Sequence, residues 1–352
     1  MKNTALTLLF GLIPLVALDA ADSLATVAPT PPMGWNSWDC FATTVTEAQT
    51  RAHADIMAEK LARFGWNYVV VDIQWYEPGA TGYDYRKGAP VAMDENGRLL
   101  PAVNRFPSSA GGKGFKPLAD YVHGNGLKFG VHLMRGIPRQ AVTANSQILG
   151  TSFHAAEIAD VKSTCSWNTD MFGVDMSKPG AQEYYDSVFA QLAAWQIDFV
   201  KVDDLSRPYH LAEIEAIHKA IAKTGRPMVL SLSPGETPLD QAEHVATHAN
   251  MWRMSDDFWD KWPLLLEQFE RCRKWAPLAK PGAYPDADML PLGIVELGRK
   301  TRFTKDEQYT LMTLWCIARS PLIMGGDLTK LDEFTLSLLT NKEVLAVDQS
   351  SA

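Results

Sequence analysis

Four cysteines in 352 residues (Cys40, Cys165, Cys272 and Cys316) are too few and too scattered for a disulfide scaffold. None stands in a CxxC pair, which removes the common zinc and thiol-redox frameworks. GxGxxG and GxxxxGK[ST] are both missing, so the nucleotide-binding fingerprints are excluded, and no GxSxG marks a nucleophile elbow. Basic residues are in deficit, 33 Lys+Arg against 41 Asp+Glu for a net charge of −8. A chain without a basic face cannot neutralise phosphates, which argues against nucleic acid or an anionic membrane as partner. There is no internal repeat, low-complexity tract or run of like charge. What is present is 46% hydrophobic, 21% charged and 10% aromatic residues, the make-up of a well-cored globular chain and not of a disordered one. An even number of cysteines allows two disulfides in three pairings, and buried thiols fit equally well.

The N-terminus reads as a separate object. Lys2 precedes an apolar run over Leu6–Leu18 with only Gly11 and Pro14 as breakers, and Ala17, Ala20, Ala21 and Ala25 follow. A charged start, a short apolar stretch and an Ala-rich exit describe a secretory signal peptide over residues 1–25, with cleavage near Ala20 or Ala25. The run is too short to cross a bilayer comfortably, which takes about 20 apolar residues, and an uncleaved anchor is the alternative. The expected product is secreted or periplasmic, with no membrane attachment after signal removal and one catalytic domain over residues 26–352.

Through the rest of the chain short apolar runs alternate with stretches at helical period. The runs are Met33–Trp38, Tyr68–Asp72, Lys128–Met134, Phe199–Asp203, Met228–Ser233, Met251–Ser255, Ala287–Leu290 and Leu322–Met324. Several are continuous Val/Ile/Leu, as in strands covered on both faces. Helices are predicted over Thr46–Phe64, Pro179–Trp195, Leu211–Ala222, Trp262–Trp275 and Thr304–Arg319, the first and last opening on Thr46/Gln49 and Thr304/Glu307 capping pairs. Eight strands alternating with helices predict an α/β fold, a parallel (β/α)8 TIM barrel, with a doubly wound open sheet as the alternative.

Barrel chemistry sits where strands end. The predicted strand ends carry Trp35/Asn36, Asp72, His132, Lys201/Asp203/Asp204, Ser231/Ser233, Arg253/Asp256/Asp257, Asp286/Asp288 and Asp327. An acidic mouth with two cations suits sugar hydroxyls and a cationic transition state. Glycoside hydrolysis needs one ionised carboxylate at the anomeric carbon and one protonated carboxyl beside the leaving oxygen, with environments that separate their pKa values. The strand ending in Asp203 and the one followed by Asp256-Asp257 each deliver an Asp just past an apolar strand and can supply such a pair, with Lys201 or Arg253 to keep one of them ionised. Asp203, Asp204, Asp256 and Asp257 could instead hold a hard cation, but Lys201 and Arg253 put positive charge where the ion would sit. The plainer alternative is that these aspartates cap helices or pair with neighbouring cations, and for Asp204 and Asp256 it is the better one. Ser231 and Ser233 have no placed His partner, so a Ser–His–Asp site is disfavoured.

These residues resemble glycoside hydrolase family 27, the α-galactosidase and α-N-acetylgalactosaminidase family. The resemblance runs through Thr30-Pro-Pro-Met-Gly-Trp-Asn-Ser-Trp38, Tyr68–Asp72, Gly130-Val-His132, Ser163-Thr-Cys165, Asp198–Asp203, Trp252–Asp257, Pro285–Leu290 and Ser320–Met324, in order over nearly the whole chain after the leader. It implies Asp203 as nucleophile and Asp257 as general acid, then base, in a double displacement with retention and no cofactor or metal. It implies substrate contacts from Trp35 as a flat apolar wall, Asp72 and Lys201 to ring hydroxyls, Arg253 near the nucleophile and the 2-hydroxyl, and Asp288 and Met289 lining the same pocket, with His132 and Cys165 at positions of the family pattern.

Departures redirect the expectation. The family's Asp-Asp after strand two is Asp72-Ile73 here, which removes a hydroxyl acceptor and can relax or redirect specificity. His132 stands for the family's Tyr, and Ser233-Pro234-Gly235-Glu236 for the segment that reads the C2 substituent. Leu205 stands where the family's bridging cysteine would be, so Cys165 is not expected to form that disulfide. The chain stops soon after Asp348, without the antiparallel β-domain that usually follows, and exposed apolar surface on the last helix would then favour a homo-oligomer. The expected function is α-galactosidase on a small or oligosaccharide α-glycoside. An α-glucoside-directed (isomaltose-releasing) relative and a catalytically silent carbohydrate-binding barrel are the alternatives.

Overall fold

The structure, a computed structural model, describes residues 20–350. Eight strands form one all-parallel sheet: β1 (Met33–Asn36), β2 (Tyr68–Val71), β3 (Lys128–Met134), β4 (Phe199–Asp203), β5 (Val229–Leu232), β6 (Met251–Arg253), β7 (Tyr284–Asp286) and β8 (Leu322–Met324). Each strand pairs with its neighbours in sequence, and β1 also pairs with β8. The ring closes between β7 and β8 through a single bridge from Leu290 to Met324, where Leu290 N–H donates to Ile323 O at 2.8 Å. That closure selects the TIM barrel over the open sheet.

The helices that sheathe it are α1 (Glu47–Ile56), α2 (Lys116–Gly124), α3 (Ala181–Ala194), α4 (Leu211–Thr224), α5 (Ala242–His248), α6 (Trp262–Trp275), α7 (Lys305–Ala318) and α8 (Lys342–Gln349). Both Thr capping boxes form, Thr46 with Gln49 and Thr304 with Glu307, each satisfying N-terminal amides that have no partner inside the helix. The predicted Thr46–Phe64 helix is α-helical only to Ile56; it continues through a wider turn and a tighter one, then stops at Gly65, which takes φ +99°. An eight-residue helix over Ala20–Val27 packs beside α5, with Leu24 O accepting from Asn250 Nδ2 at 3.3 Å, so it runs across the expected leader boundary at residue 25. Residues 1–19 of that expected leader lie outside the described residues.

Strand alternation sorts the barrel into two cores. Val69, Val71, Phe129, Val131, Val200 and Val202 pack outward under the helices, while Tyr68, Val70, Phe199, Val229, Met251, Tyr284 and Ile323 fill the interior. Gly34 lets β1 lie close to β2, since a Cβ there would come within 2.4 Å of Tyr68 O. The same alternation carries chemistry: Phe199, Lys201 and Asp203 rise up one inner wall, Met251 and Arg253 up another, and Tyr284 and Asp286 up a third.

Two expectations change. The seventh strand is Tyr284–Asp286 and not Ala287–Leu290; Pro285 disguised it, and the apolar run after it is a connection in which Asp288 takes φ +85°. A three-stranded antiparallel sheet (Ile137–Pro138, Ala159–Thr164, Met171–Val174) is inserted between β3 and α3, unforeseen because two of its strands are very short and the longest, Ala159–Thr164, is mostly polar. All four cysteines are buried free thiols, so no disulfide forms among them.

Candidate active site

A cavity of about 410 Å³ opens at the C-terminal ends of the strands. Asp72, Lys201, Asp203, Arg253, Asp257, Asp288 and Met289 all line it, so the barrel brings together most of the residues expected there. Asp72 is fully buried at the end of β2. Its Oδ2 accepts from Asn36 Nδ2 at 2.6 Å and from Lys201 Nζ at 2.9 Å, and its Oδ1 accepts from the Ile73 amide at 2.8 Å. The carboxylate is therefore held in one orientation.

Asp203 ends β4 with Lys201 Nζ 3.7 Å from Oδ1 and His132 Nε2 3.0 Å from Oδ2. Burial alone would raise its pKa; the Lys201 ammonium, the His132 ring and the Ser233 hydroxyl outweigh that and hold it well below the usual carboxylate range. Asp203 is thus an ionised, low-basicity carboxylate in a water-poor wall. Lys201 is correspondingly pushed up: burial opposes its charge, but Asp203 and Asp72 overcome that.

Across the cavity Arg253 is buried at the end of β6, with one guanidinium nitrogen 2.7 Å from Asp288 Oδ2 and 3.2 Å from Asp257 Oδ1. Asp257 is more than half exposed and faces the opening. Its neighbour Asp256 also lines the cavity, but at the exposed rim, paired with Arg207 at 2.7 Å. Asp288 accepts from the Phe258 amide at 2.6 Å, and burial, with Asp257 and Asp286 nearby, pushes it up to about 7 despite Arg253.

Three expectations fall elsewhere. Trp35 is not a wall of the cavity: it lies on the outward face of β1, fully buried, stacked on His53 and donating Nε1–H to Gly326 O at 3.0 Å. The period of two that sends Asn36 inward to Asp72 sends Trp35 outward. His132 is inside the barrel with no exposed surface, behind Asp203 rather than facing a ligand. Cys165 is buried beside Asp204, outside the cavity, and burial pushes its thiol up to about 12. Asp204 itself pairs with Arg135 at 2.8 Å. Glu236 faces Arg271 at 3.8 Å and is not part of the lining.

The aromatic walls come from Trp38, Tyr85, Trp167, Phe258 and Trp259, with Tyr85 tilted against Trp167 at 5.4 Å. Asp39 also lines the cavity; burial, with Asp288 and Asp257 close, pushes its carboxyl well above the usual range. Trp38 and Asp39 open a one-turn helix, Trp38–Phe41, and the others sit in loops, and no periodicity reveals the path of either. Only the Trp-Asn-Ser-Trp spacing offered a signal, and it pointed to the wrong tryptophan.

Asp72, His132 and Asp203 carry donor atoms close enough to share an ion. The Lys201 ammonium already bridges the two carboxylates, so a cation there would meet a fixed positive charge. The set fits a sugar-binding carboxylate array better than a metal centre.

A family model described as "Alpha galactosidase A" matches residues 30–178 and 174–350. An α-galactosidase of Cyamopsis tetragonoloba is 30% identical over 325 residues, covering 91% of this chain and 64% of its own length. One of Coffea arabica is 31% identical over 327 residues, covering 91% and 70%. Among solved structures, a family 27 β-L-arabinopyranosidase of Geobacillus stearothermophilus superposes with a TM-score of 0.91 at 60% identity, covering 93% of this chain and 78% of its own. α-Galactosidase I of Mortierella vinacea does so at 0.66 and 25% identity, covering 92% and 73%. The chain thus spans about two thirds of the length of the curated relatives it matches.

Proposed function

Because the chain belongs to the α-galactosidase family of glycoside hydrolases, family 27, we propose that it cleaves terminal α-galactoside-configured sugars by double displacement with retention. The observation that carries this reading is one cavity lined by a clamped, ionised Asp203 and a solvent-facing Asp257. Asp203 attacks the anomeric carbon and the glycosidic C–O bond breaks. The departing oxygen takes the proton from the Asp257 carboxyl, leaving a glycosyl ester on Asp203. Asp257, now ionised, takes a proton from water as that water attacks the same carbon and returns the Asp203 carboxylate. Lys201 and Asp72 hold ring hydroxyls, and Arg253 offsets negative charge between Asp257 and Asp288.

Ile73 favours a narrower version. It lines the cavity where the family pattern has a second carboxylate, so the pocket offers one hydroxyl acceptor fewer. β-L-Arabinopyranosides share the ring stereochemistry of α-D-galactopyranosides and lack the C6 hydroxymethyl, so they demand one acceptor fewer. The Geobacillus relative named for that sugar supports the match. Export, resting on Lys2 and the Leu6–Leu18 run, belongs to the same proposal.

Release of nitrophenol from the α-D-galactopyranoside, the β-L-arabinopyranoside and the α-D-glucopyranoside tests this. Turnover of the first two and not the third is expected. A glucoside rate equal to theirs, or no turnover of any by folded protein, refutes the reading.

A further inference from the structure

We propose that Glu215, His244 and His248 form a binding site for a divalent metal ion of the zinc class on the outside of the barrel, between α4 and α5. The three residues offer one donor atom each, all within 4.8 Å of one another. His244 and His248 are four apart on α5 and therefore share a helix face, with their rings stacked at 4.2 Å and 27° apart in plane. Glu215 comes from the adjacent α4, and its Oε1 lies 3.5 Å from His244 Nε2.

The rings are already oriented as metal ligands. His248 Nδ1 lies 2.8 Å from the His244 carbonyl oxygen, which can only accept, so its proton is on Nδ1 and Nε2 keeps its lone pair. His244 Nδ1 lies 2.7 Å from the Tyr209 hydroxyl, leaving Nε2 for the ion. Fixing one ring nitrogen by an outer partner is how metal-bound histidines are aimed. Lys219 Nζ reaches the other Glu215 oxygen, Oε2, at 3.4 Å, and its own side chain is largely exposed, so it can turn to water. His218 buttresses His248, its Nδ1 3.0 Å from His248 O.

Two imidazoles and one carboxylate leave a fourth tetrahedral position for water. Calcium and magnesium, which take oxygen ligands, suit this donor set poorly. An ion here joins α4 to α5. Through Tyr209 it also anchors the loop after β4, in which Arg207 lines the mouth of the cavity.

The test uses untagged full-length protein, stripped with a chelator and titrated with Zn²⁺ by calorimetry. One equivalent should bind and raise Tm, and Co²⁺ should give a visible d–d band. Tyr209→Phe should weaken binding about 10-fold, and His248→Ala more than that. Glu215→Gln keeps both rings and leaves no cavity, so it reports ligand loss even if the alanine variant folds poorly. Absence of a saturable event in the parent chain, or equal affinity in Glu215→Gln and the parent, overturns the proposal.

Discussion

His132 holds its Nε2 3.0 Å from Oδ2 of Asp203 with none of its own surface exposed. The carboxylate proposed to attack is gripped from inside the barrel by an imidazole and from the side by an ammonium. Removing the imidazole removes a group that lowers the Asp203 pKa. The acid limb of kcat/KM, set by Asp203 ionisation, should then shift to higher pH in His132→Leu. A pH profile on one aryl glycoside reads this directly; an unmoved limb would mean that Lys201 and Ser233 set the ionisation without the imidazole.

Asp203→Asn keeps the volume and both neighbours but cannot form the ester. Turnover should fall by about 1,000-fold or more. Circular dichroism should match the parent, and a retained few per cent of activity would move the nucleophile elsewhere.

Asp257→Asn should separate substrates by leaving group. Nitrophenyl glycosides need little protonation and should keep a rapid first step. Alkyl or sugar leaving groups should lose about 100-fold or more, the usual weight of general acid catalysis. The same pattern from Asp256→Asn would exchange the two neighbours' roles, although the Arg207 pair holds Asp256 away from the cavity centre.

Ile73→Asp restores the missing acceptor. The ratio of galactoside to arabinopyranoside kcat/KM should rise by about 10-fold, the worth of one hydrogen bond to a sugar hydroxyl. An unchanged ratio would show that discrimination lies in the aromatic walls.

Asp348 gives a stability prediction away from the cavity. It is a buried residue of α8, and burial pushes it up to about 8 although Gln349 and Arg319 oppose the shift. A carboxyl with a raised folded pKa favours folding in its neutral form. That contribution is complete below about pH 4, where the unfolded chain is protonated too, and is lost as pH rises through about 8. Asp348→Asn should flatten the decline of Tm between those limits.

The barrel was legible because β2 is an unbroken apolar run, β4 and β5 are apolar but for Lys201, Asp203 and Ser231, and the helix caps are spelled out in Thr46/Gln49 and Thr304/Glu307. Asp72, Asp203, Arg253 and Asp257 were legible because each stands at or just past a strand end, where the ring forces side chains to converge, and Lys201 because it lies one inward position below Asp203. Trp35 was misplaced since a four-residue strand leaves its inward face undecided until the neighbouring register is known. Tyr85, Trp167 and Trp259 were missed because loops follow contacts made by distant segments, and Trp38 and Asp39 because a one-turn helix is too short to show a period. Pro285 hid β7 for a local reason: a residue without an N–H breaks the pattern by which strands are recognised.

The seam between β7 and β8 is the thinnest stitching in the ring. Leu290 N–H to Ile323 O at 2.8 Å and Gly325 N–H to Leu290 O at 3.0 Å carry it, with Trp315 Nε1–H pinning Asp288 O at 2.8 Å from outside. A hoop parts at its weakest stave joint, so this joint is where amide exchange should first reveal the barrel breathing. Asp288 and Met289 hang on that joint, which makes one side of the sugar cavity a flap and the Asp72–Asp203 side its anvil.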